Sequence, residues 1–311
     1  MIAFDAVLAR VFTPPLSEAA TPRELLEQMK VEGGAFEDPI DEVIWHACTV
    51  DRLGLAFTAG YSAATRVLTD RLGVRSLGHV SLAATESGGA HPRAIGTRLV
   101  RDGSGGRLDG EKLWCTLAFE ASALVVIARD GERDGRPVLR AVAIPLGREG
   151  LALGSMPETP FCPEVQHATV TLTAVPVETS EIADVDAYDH VLKPFRTIED
   201  IHVQAALLAW LAGVAVRSRF APEIAERAAA LLASVRTLGR LSPVASATHL
   251  ALAGASEATT LLLAASEPEW DRAGGDLRDR FRRDLPLLSI ASKVRRARLD
   301  RARADVGGRT L

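Results

Sequence analysis

Clustered cysteines and histidines are missing from this chain of 311 residues. The three cysteines, Cys48, Cys115 and Cys162, are odd in number and far apart, and no CxxC pair occurs. None of the seven histidines stands in a ligand spacing such as HxxxH. Because a disulfide framework needs paired cysteines and a structural zinc needs clustered ligands, the sequence predicts no disulfides and no metal site.

A charge excess of one sign is missing too. The 36 basic and 40 acidic residues give a formal net charge of −4, and no tail is clearly of one sign. Only four of the basic residues are lysines, which we attribute to the base composition of the gene and not to an arginine-rich binding surface. The composition therefore argues against a nucleic-acid partner.

Long hydrophobic runs are also absent. The N-terminal stretch MIAFDAVLAR carries an acidic residue and lacks the basic region and long apolar core of a signal peptide. The longest largely apolar run, residues 203–216, is 14 residues long and is interrupted by Gln204. Because a helix needs about 20 apolar residues to cross a bilayer, this run predicts a buried helix. We expect no membrane partner and a cytoplasmic location.

The hydrophobic pattern changes twice along the chain, whose apolar fraction of 47% and charged fraction of 24% are typical of a globular protein. In residues 1–78, apolar residues recur at the spacing of an α-helix. Thr21-Pro22 and Asp38-Pro39 each place a capping side chain before a proline at the first helical position. This segment predicts a short N-terminal helical domain.

The hydrophobic pattern of the middle of the chain also differs from that of its end. Residues 79–183 are short β-branched segments separated by Gly, Asp and Pro turns, which predict a barrel or sandwich. One turn signal is Asp109-Gly110, the pair that best suits a two-residue hairpin. Helical period returns over residues 184–311 and predicts a four-helix bundle, so the fold class is α+β. We expect its helices near residues 198–217, 222–239, 243–266 and 276–306.

The middle segment contains a recognisable set of residues. The stretch LAATESGGAHPRAIGTRLVRDGSGGRLDGEKLWCTLAFEASALVVIAR carries a Thr-Glu pair, a later threonine, and then Asp-Gly-x-Lys-x-Trp-x-Thr. These residues are Thr85-Glu86, Thr97, Asp109-Gly110, Lys112, Trp114 and Thr116. In this pattern the chain resembles the acyl-CoA dehydrogenase family, closely over residues 79–180 and by domain order elsewhere. The resemblance implies N-terminal helices, a middle β-barrel domain and a C-terminal helical bundle.

The resemblance also implies FAD as a cofactor. In the family, the Trp and Thr of this strand lie against the flavin ring, and the Thr of Thr-Glu binds the polar edge of the ring. Trp114, Thr116 and Thr85 hold those places, with Leu82 and Ala84 beside them. A flat apolar cofactor needs an aromatic wall and a few fixed polar partners. The alternative interpretation of Trp114 is packing between domains.

The C-terminal stretch ARADVGGRTL resembles the Gly-Gly motif of the family's last long helix. In the family this motif approaches the adenine of a neighbouring subunit. The resemblance therefore implies that Gly307 and Gly308 contact the cofactor and that the chain forms a homodimer or homotetramer.

Two cofactor motifs of the family are altered in this sequence. Ala90-His91-Pro92 stands where the family has a pyrophosphate-binding Gly-Ser-Asp. His91 can still donate a hydrogen bond, or is simply a surface loop residue, whereas Pro92 has no backbone N–H. The family's Arg-x-x-Phe-Gly motif is matched only in part by RSRFAPEI from Arg217, which lacks the Gly.

The catalytic carboxylate of most family members follows the Gly-Gly motif, and this sequence ends directly after that motif. One subset of the family takes its base from the start of the first bundle helix. The small residues of KPFRTIEDIHVQAALLAW align with the close-packing positions there and put Glu199 at that site, while a shift of one puts Asp200 there. The alternative is that Glu199 only stabilises the first turn of the helix through its dipole.

These features lead to three hypotheses. The first is an FAD-dependent oxidoreductase of fatty acid metabolism that acts on the CH–CH group of an acyl-CoA thioester, with Glu199 as base. The second is a non-catalytic member that forms a hetero-oligomer with a full-length relative. The third keeps the flavin and performs another reaction, such as oxygenation. The acyl chain and the electron acceptor stay open.

Overall fold

A computed structural model describes residues 1–73, 78–89 and 91–307. The chain divides into a helical unit, formed by Met1–Ala64, Thr159–Glu164 and the residues from Thr197 onward, and a β unit, formed by Thr65–Glu158 and Val165–Arg196. The domain boundaries expected after residues 78 and 183 stay a prediction.

Four helices begin the chain, and the caps of two of them were visible in the sequence. They are α1 (Phe4–Phe12), α2 (Pro22–Glu32), α3 (Pro39–Ala47) and α4 (Leu53–Leu72). Thr21 and Glu24 form a capping box at the start of α2. Asp38 Oδ1 accepts from the Ile40 amide at 3.0 Å at the start of α3. Both predicted helix starts are therefore confirmed.

The β unit is built on one curled, mixed sheet. Its strands are β1 (Val80–Ala83), β2 (Arg98–Asp102), β3 (Gly105–Thr116), β4 (Ala123–Arg133), β5 (Arg136–Pro145), β6 (Leu151–Ser155) and β7 (His167–Glu178). Within the described residues the order is β1-β4-β2-β3-β7-β6, and β5 pairs with β4. β1 runs parallel to β4, whereas β3 is antiparallel to β2 and β7. The predicted strand-rich middle segment is confirmed.

The predicted hairpin turn at Asp109-Gly110 is wrong, because β3 runs straight through these residues. The register of β3 against β7 shifts between Leu108 and Gly110, which marks a bulge. Gly110 has φ +152°, and a Cβ there would lie 2.7 Å from Thr97 Cα. The conformational freedom of glycine, which suits a hairpin turn, is used at Gly110 for a bulge and for the close approach of its backbone to Thr97. The chain actually turns between β2 and β3 at Gly103 and Ser104.

The C-terminal helices of the helical unit are α5 (Lys193–Arg217), α6 (Pro222–Gly239), α7 (Ser246–Ser266), α8 (Gly275–Asp284) and α9 (Ser292–Gly307). α5 begins five residues before its predicted start and follows a π-helical turn, Tyr188–Leu192. The helix expected over residues 276–306 is wrong as one element. A 3₁₀ turn, Leu285–Leu288, divides it at Pro286, which cannot supply the amide that a continuous helix requires.

α5 is the core helix of the helical unit. Its residues from Ala205 to Ala215 are almost all buried, and Trp210 stacks against Trp270 and Phe281. Among the described residues, one helical stretch, Tyr188–Arg217, is long and apolar enough to cross a membrane, but 83% of its most apolar window is buried inside the protein. The run at residues 203–216 is thus a buried helix, as predicted.

Candidate functional site

Trp114 is unusual in the β unit because its large side chain is 47% exposed. Its backbone φ is +58°, a left-handed conformation that a bulky residue rarely adopts. The register of β3 against β7 shifts between Lys112 and Cys115, so β3 carries an extra residue at this point. As a result Lys112 and Cys115 are both buried while the indole of Trp114 faces outward. The Trp114 indole is thus not part of the hydrophobic core of the β unit.

Two side chains from neighbouring strands hold the Trp114 bulge. Met156 directly follows β6, and its Sδ accepts from the Trp114 amide at 3.1 Å. The indole meets the imidazole of His167 edge to face, with ring centroids 5.5 Å apart. Thr116 Oγ1 lies 3.2 Å from His167 Nδ1. Trp114 and Thr116 therefore meet at one histidine, which the sequence did not indicate.

Thr85 lies directly beside this bulge. Its carbonyl accepts from the Leu113 amide at 2.8 Å, which places the end of β1 next to β3. The Ser81 hydroxyl donates to the Thr116 carbonyl at 2.7 Å and ties the same two segments together. Thr85 is half-buried and Ala84 is buried. Leu82 lies half-buried on β1, paired with Val125 of β4.

Glu86 is the anchor of the Thr85 segment. Its Oε1 accepts from Lys112 Nζ at 2.7 Å, from the Thr97 hydroxyl at 2.8 Å and from the Thr97 amide at 3.0 Å. Its Oε2 accepts from the Gly96 amide at 2.7 Å. The fully buried Lys112 also donates to the Ile127 carbonyl at 2.5 Å. One carboxylate thus fastens the Thr85 segment, β3 and the loop before β2 to one another.

The ion pair is reflected in the acid–base properties of both partners. Burial acts to raise the pKa of Glu86, but the hydrogen bonds from Lys112 and the Gly96 amide outweigh it and hold the pKa below its ordinary value. Burial lowers the pKa of Lys112, and the Glu86 carboxylate offsets part of that effect. The short contacts of the Lys112 ammonium with the Glu86 carboxylate and the Ile127 carbonyl are those of a buried ion pair.

The loop between β1 and β2 contains the altered pyrophosphate motif. His91 is exposed, and its Nδ1 accepts from the Arg93 amide at 3.3 Å, capping the short 3₁₀ turn Pro92–Ala94. Arg93 is exposed beside it. Ala90 lies outside the described residues. His91 is thus a surface residue that caps this turn through Nδ1. The cap does not use its second ring nitrogen, Nε2.

Glu199 and Asp200 lie in the helical unit, both half-buried on α5. Because α5 begins at Lys193, Glu199 is not in its first turn, and the helix-dipole explanation for Glu199 is wrong. Asp200 Oδ1 accepts from Arg295 at 2.9 Å and Asp200 Oδ2 accepts from Arg298 at 2.5 Å. Asp200 therefore anchors α9.

The comparisons with solved structures extend over nearly the whole chain. Butyryl-CoA dehydrogenase from Megasphaera elsdenii matches with a TM-score of 0.66 at 15% identity, over 96% of this chain and 93% of that one. A chain of the electron transferring flavoprotein of Acidaminococcus fermentans matches with a TM-score of 0.73 at 16% identity, over 96% of both chains. The FAD complex of PigA matches with a TM-score of 0.68 at 14% identity, over 98% and 94%.

The chain has the acyl-CoA dehydrogenase fold. The predicted fold class and the resemblance seen in the middle segment are confirmed at this level. At the level of sequence, no protein-family model matches the chain and no curated protein is significantly similar to it. The chain therefore has this fold at 14–16% sequence identity to the three structures named above.

Arg217 and Gly307 are the last residues of α5 and α9. Arg217 donates to the Cys48 carbonyl at 2.6 Å and to the Val50 carbonyl at 2.8 Å, so its guanidinium holds the end of α3. Gly307 is the last residue of α9, and a Cβ there would meet nothing within 4 Å. Gly308 lies outside the described residues.

Proposed function

We propose that this protein binds FAD through the surface formed by Thr85, Trp114 and Thr116 and oxidises the CH–CH group of an acyl-CoA thioester. The observation that carries the proposal is the exposed indole of Trp114, held at a bulge of β3 in a left-handed backbone conformation. We further propose a cytoplasmic location, a role in fatty acid metabolism, and assembly into homodimers or homotetramers.

The chemistry of this surface fits the flavin ring. A bulky residue at positive φ costs on the order of 1–3 kcal/mol, and an exposed indole forgoes the gain of burial. Both costs are offset if a flat apolar ring covers Trp114. Thr85 and Thr116 carry hydroxyl groups, which suit the polar edge of the ring. Bound FAD would supply the hydride acceptor of the reaction.

The phosphate end of the cofactor would be held differently from the family's pattern. Pro92 removes one amide donor, but the second nitrogen of His91 can donate, and the exposed Arg93 adds a positive charge. A cofactor-free subunit of a larger assembly is the second candidate function, and Pro92 is the observation that favours it. FAD binding decides between the two.

The first prediction concerns FAD binding. We expect the purified protein to take up FAD and Trp114→Ala to weaken that binding about 5- to 150-fold, because stacking of a planar ring on an aromatic side chain is worth about 1–3 kcal/mol. Absorption spectroscopy and a fluorescence titration with FAD measure this. Val100→Ala, which removes another exposed apolar side chain of the β unit, should bind FAD as the wild type does. A protein that takes up no FAD contradicts the proposal and favours the cofactor-free subunit.

The second prediction separates the two carboxylates of α5. We propose Glu199 as the base that removes the α-proton of the thioester, so Glu199→Gln should slow α-proton exchange about 10²-fold or more in the folded protein. Exchange is followed by NMR in deuterium oxide with a series of acyl-CoA thioesters. Asp200→Asn should instead lower stability by about 1–3 kcal/mol through its lost bonds to Arg295 and Arg298, while exchange persists. Full exchange in Glu199→Gln would rule out Glu199 as the base.

A further inference from the structure

We propose that His167 is a positioning residue of the flavin surface, which orients the Thr116 hydroxyl and the Trp114 indole toward the ring. This inference rests on the proposed function. It assigns a role to a residue outside the Thr-Glu and Trp-x-Thr motifs on which the resemblance depends.

The geometry of β7 places His167 at the centre of the surface. His167 is the first residue of β7 and pairs directly with Thr116 of β3. Its ring and the Trp114 indole meet edge to face, and Nδ1 lies 3.2 Å from Thr116 Oγ1. A single half-buried side chain therefore contacts two of the three residues that we assign to the flavin.

The chemistry of a neutral imidazole suits this place. Burial lowers the pKa of His167, so the ring carries one N–H and one acceptor nitrogen at neutral pH. Nδ1 can accept the Thr116 proton or donate to the Thr116 oxygen, depending on which nitrogen carries the hydrogen. Thr116 Oγ1 keeps a partner in either case and retains hydrogen-bonding capacity for a ligand.

The packing contribution is separate from the hydrogen bond. Trp114 occupies a strained backbone conformation, and the Met156 sulfur holds only its amide. The His167 ring supports the indole itself, and edge-to-face ring pairs are favourable arrangements. Removing the ring should therefore let the indole reorient even before any ligand is present.

Two substitutions separate these contributions. His167→Phe keeps a ring against Trp114 and removes the nitrogen, so we expect FAD affinity to fall about 3- to 10-fold. His167→Asn keeps a polar group near the position of Nδ1 and removes the ring. It should therefore lose FAD affinity through the unsupported indole, and tryptophan emission and its quenching by acrylamide should change in the ligand-free protein, whereas His167→Phe should leave both close to the wild type. Thr171→Val, at an exposed position of the same strand, is the matched control.

A double-mutant cycle tests the proposed coupling. In a Thr116→Val background, His167→Phe should have no further effect on FAD affinity, since its partner hydroxyl is gone. Equal FAD affinity of the wild type and His167→Phe, or an unchanged penalty in the Thr116→Val background, overturns the inference while the proposed function stands. A wild-type protein that binds no FAD overturns both. Thermal melts of each variant show that the comparison is made on folded protein.

Discussion

Replacing Lys112 by Met should destabilise the protein by about 3–5 kcal/mol, the cost of removing one partner of a buried ion pair. The Lys112 side chain is fully buried, and its ammonium donates to Glu86 Oε1 and to the Ile127 carbonyl. Met has a similar length and fills the space, so the loss is electrostatic and not a cavity. It leaves the Glu86 carboxylate without its counter-ion. Urea unfolding at pH 7, followed by circular dichroism, measures the change.

A matched control lies on the neighbouring strand. Arg101 of β2 donates to Asp130 at 3.1 Å, but its side chain is 39% exposed. Arg101→Met should therefore cost less than about 1 kcal/mol, as exposed pairs do. Equal effects of Lys112→Met and Arg101→Met would show that the buried pair does not anchor the site. We also expect Lys112→Met to weaken FAD binding, because Lys112 fastens the Thr85 segment to β3.

The pH dependence of stability provides a second measurement of the same pair. The pKa of Glu86 is lower in the folded protein than in the unfolded chain, because the hydrogen bonds from Lys112 and Gly96 outweigh its burial. This stabilisation is complete above the ordinary pKa of about 4.3 and is lost as the pH falls through the lowered folded-state value. Between pH 5 and pH 3, the wild type should therefore lose more stability than Glu86→Gln. Urea midpoints over this range check the sign.

Local chemistry explains which parts of the fold could be predicted from the sequence. The capping residues Thr21 and Asp38 act within three residues of themselves, so they predict helix starts correctly. Asp109-Gly110 is equally local but fits both a turn and a bulge, and the choice depends on the contact of Gly110 with Thr97. No local pattern distinguishes the two.

The break between α8 and α9 was readable in part. Pro286 signals an interruption within the helical pattern over residues 276–306. The end of α8 also makes a tertiary contact, because the side chain of its last residue, Asp284, accepts from the Cys162 amide at 2.7 Å. A contact over 122 residues cannot be recognised from local periodicity.

The candidate site was predictable only where its residues are neighbours in sequence. Trp114 and Thr116 could be proposed from the sequence because the motif that includes them is contiguous. Met156 and His167 contact them across 42 and 51 residues, and neither belongs to a recognisable motif. The proposed flavin surface thus combines residues that the sequence indicates with supporting side chains that only the structure reveals.

Substituting Gly213 by Ala should destabilise the protein by about 1–3 kcal/mol, although Ala favours a helix over Gly by about 1 kcal/mol. Gly213 lies within α5, and a Cβ there would lie 1.9 Å from the Cys48 carbonyl oxygen, a contact that real structures do not show. Because the Cys48 carbonyl belongs to the backbone, it cannot rotate away as a side chain would. The substitution therefore forces α5 to move relative to the end of α3. The same carbonyl accepts from Arg217, one turn further along α5, so the shift also disturbs that bond.

A second glycine within a helix provides the opposite case. Gly254 lies within α7, and a Cβ there would meet nothing within 4 Å. Gly254→Ala should therefore raise the free energy of unfolding by about 0.5–1 kcal/mol through helix propensity alone. Thermal and urea unfolding of both variants measure the two signs, and stabilisation by Gly213→Ala would contradict the close approach of α5 to α3. Because α5 also carries Glu199, the same close approach fixes the helix on which the proposed base stands.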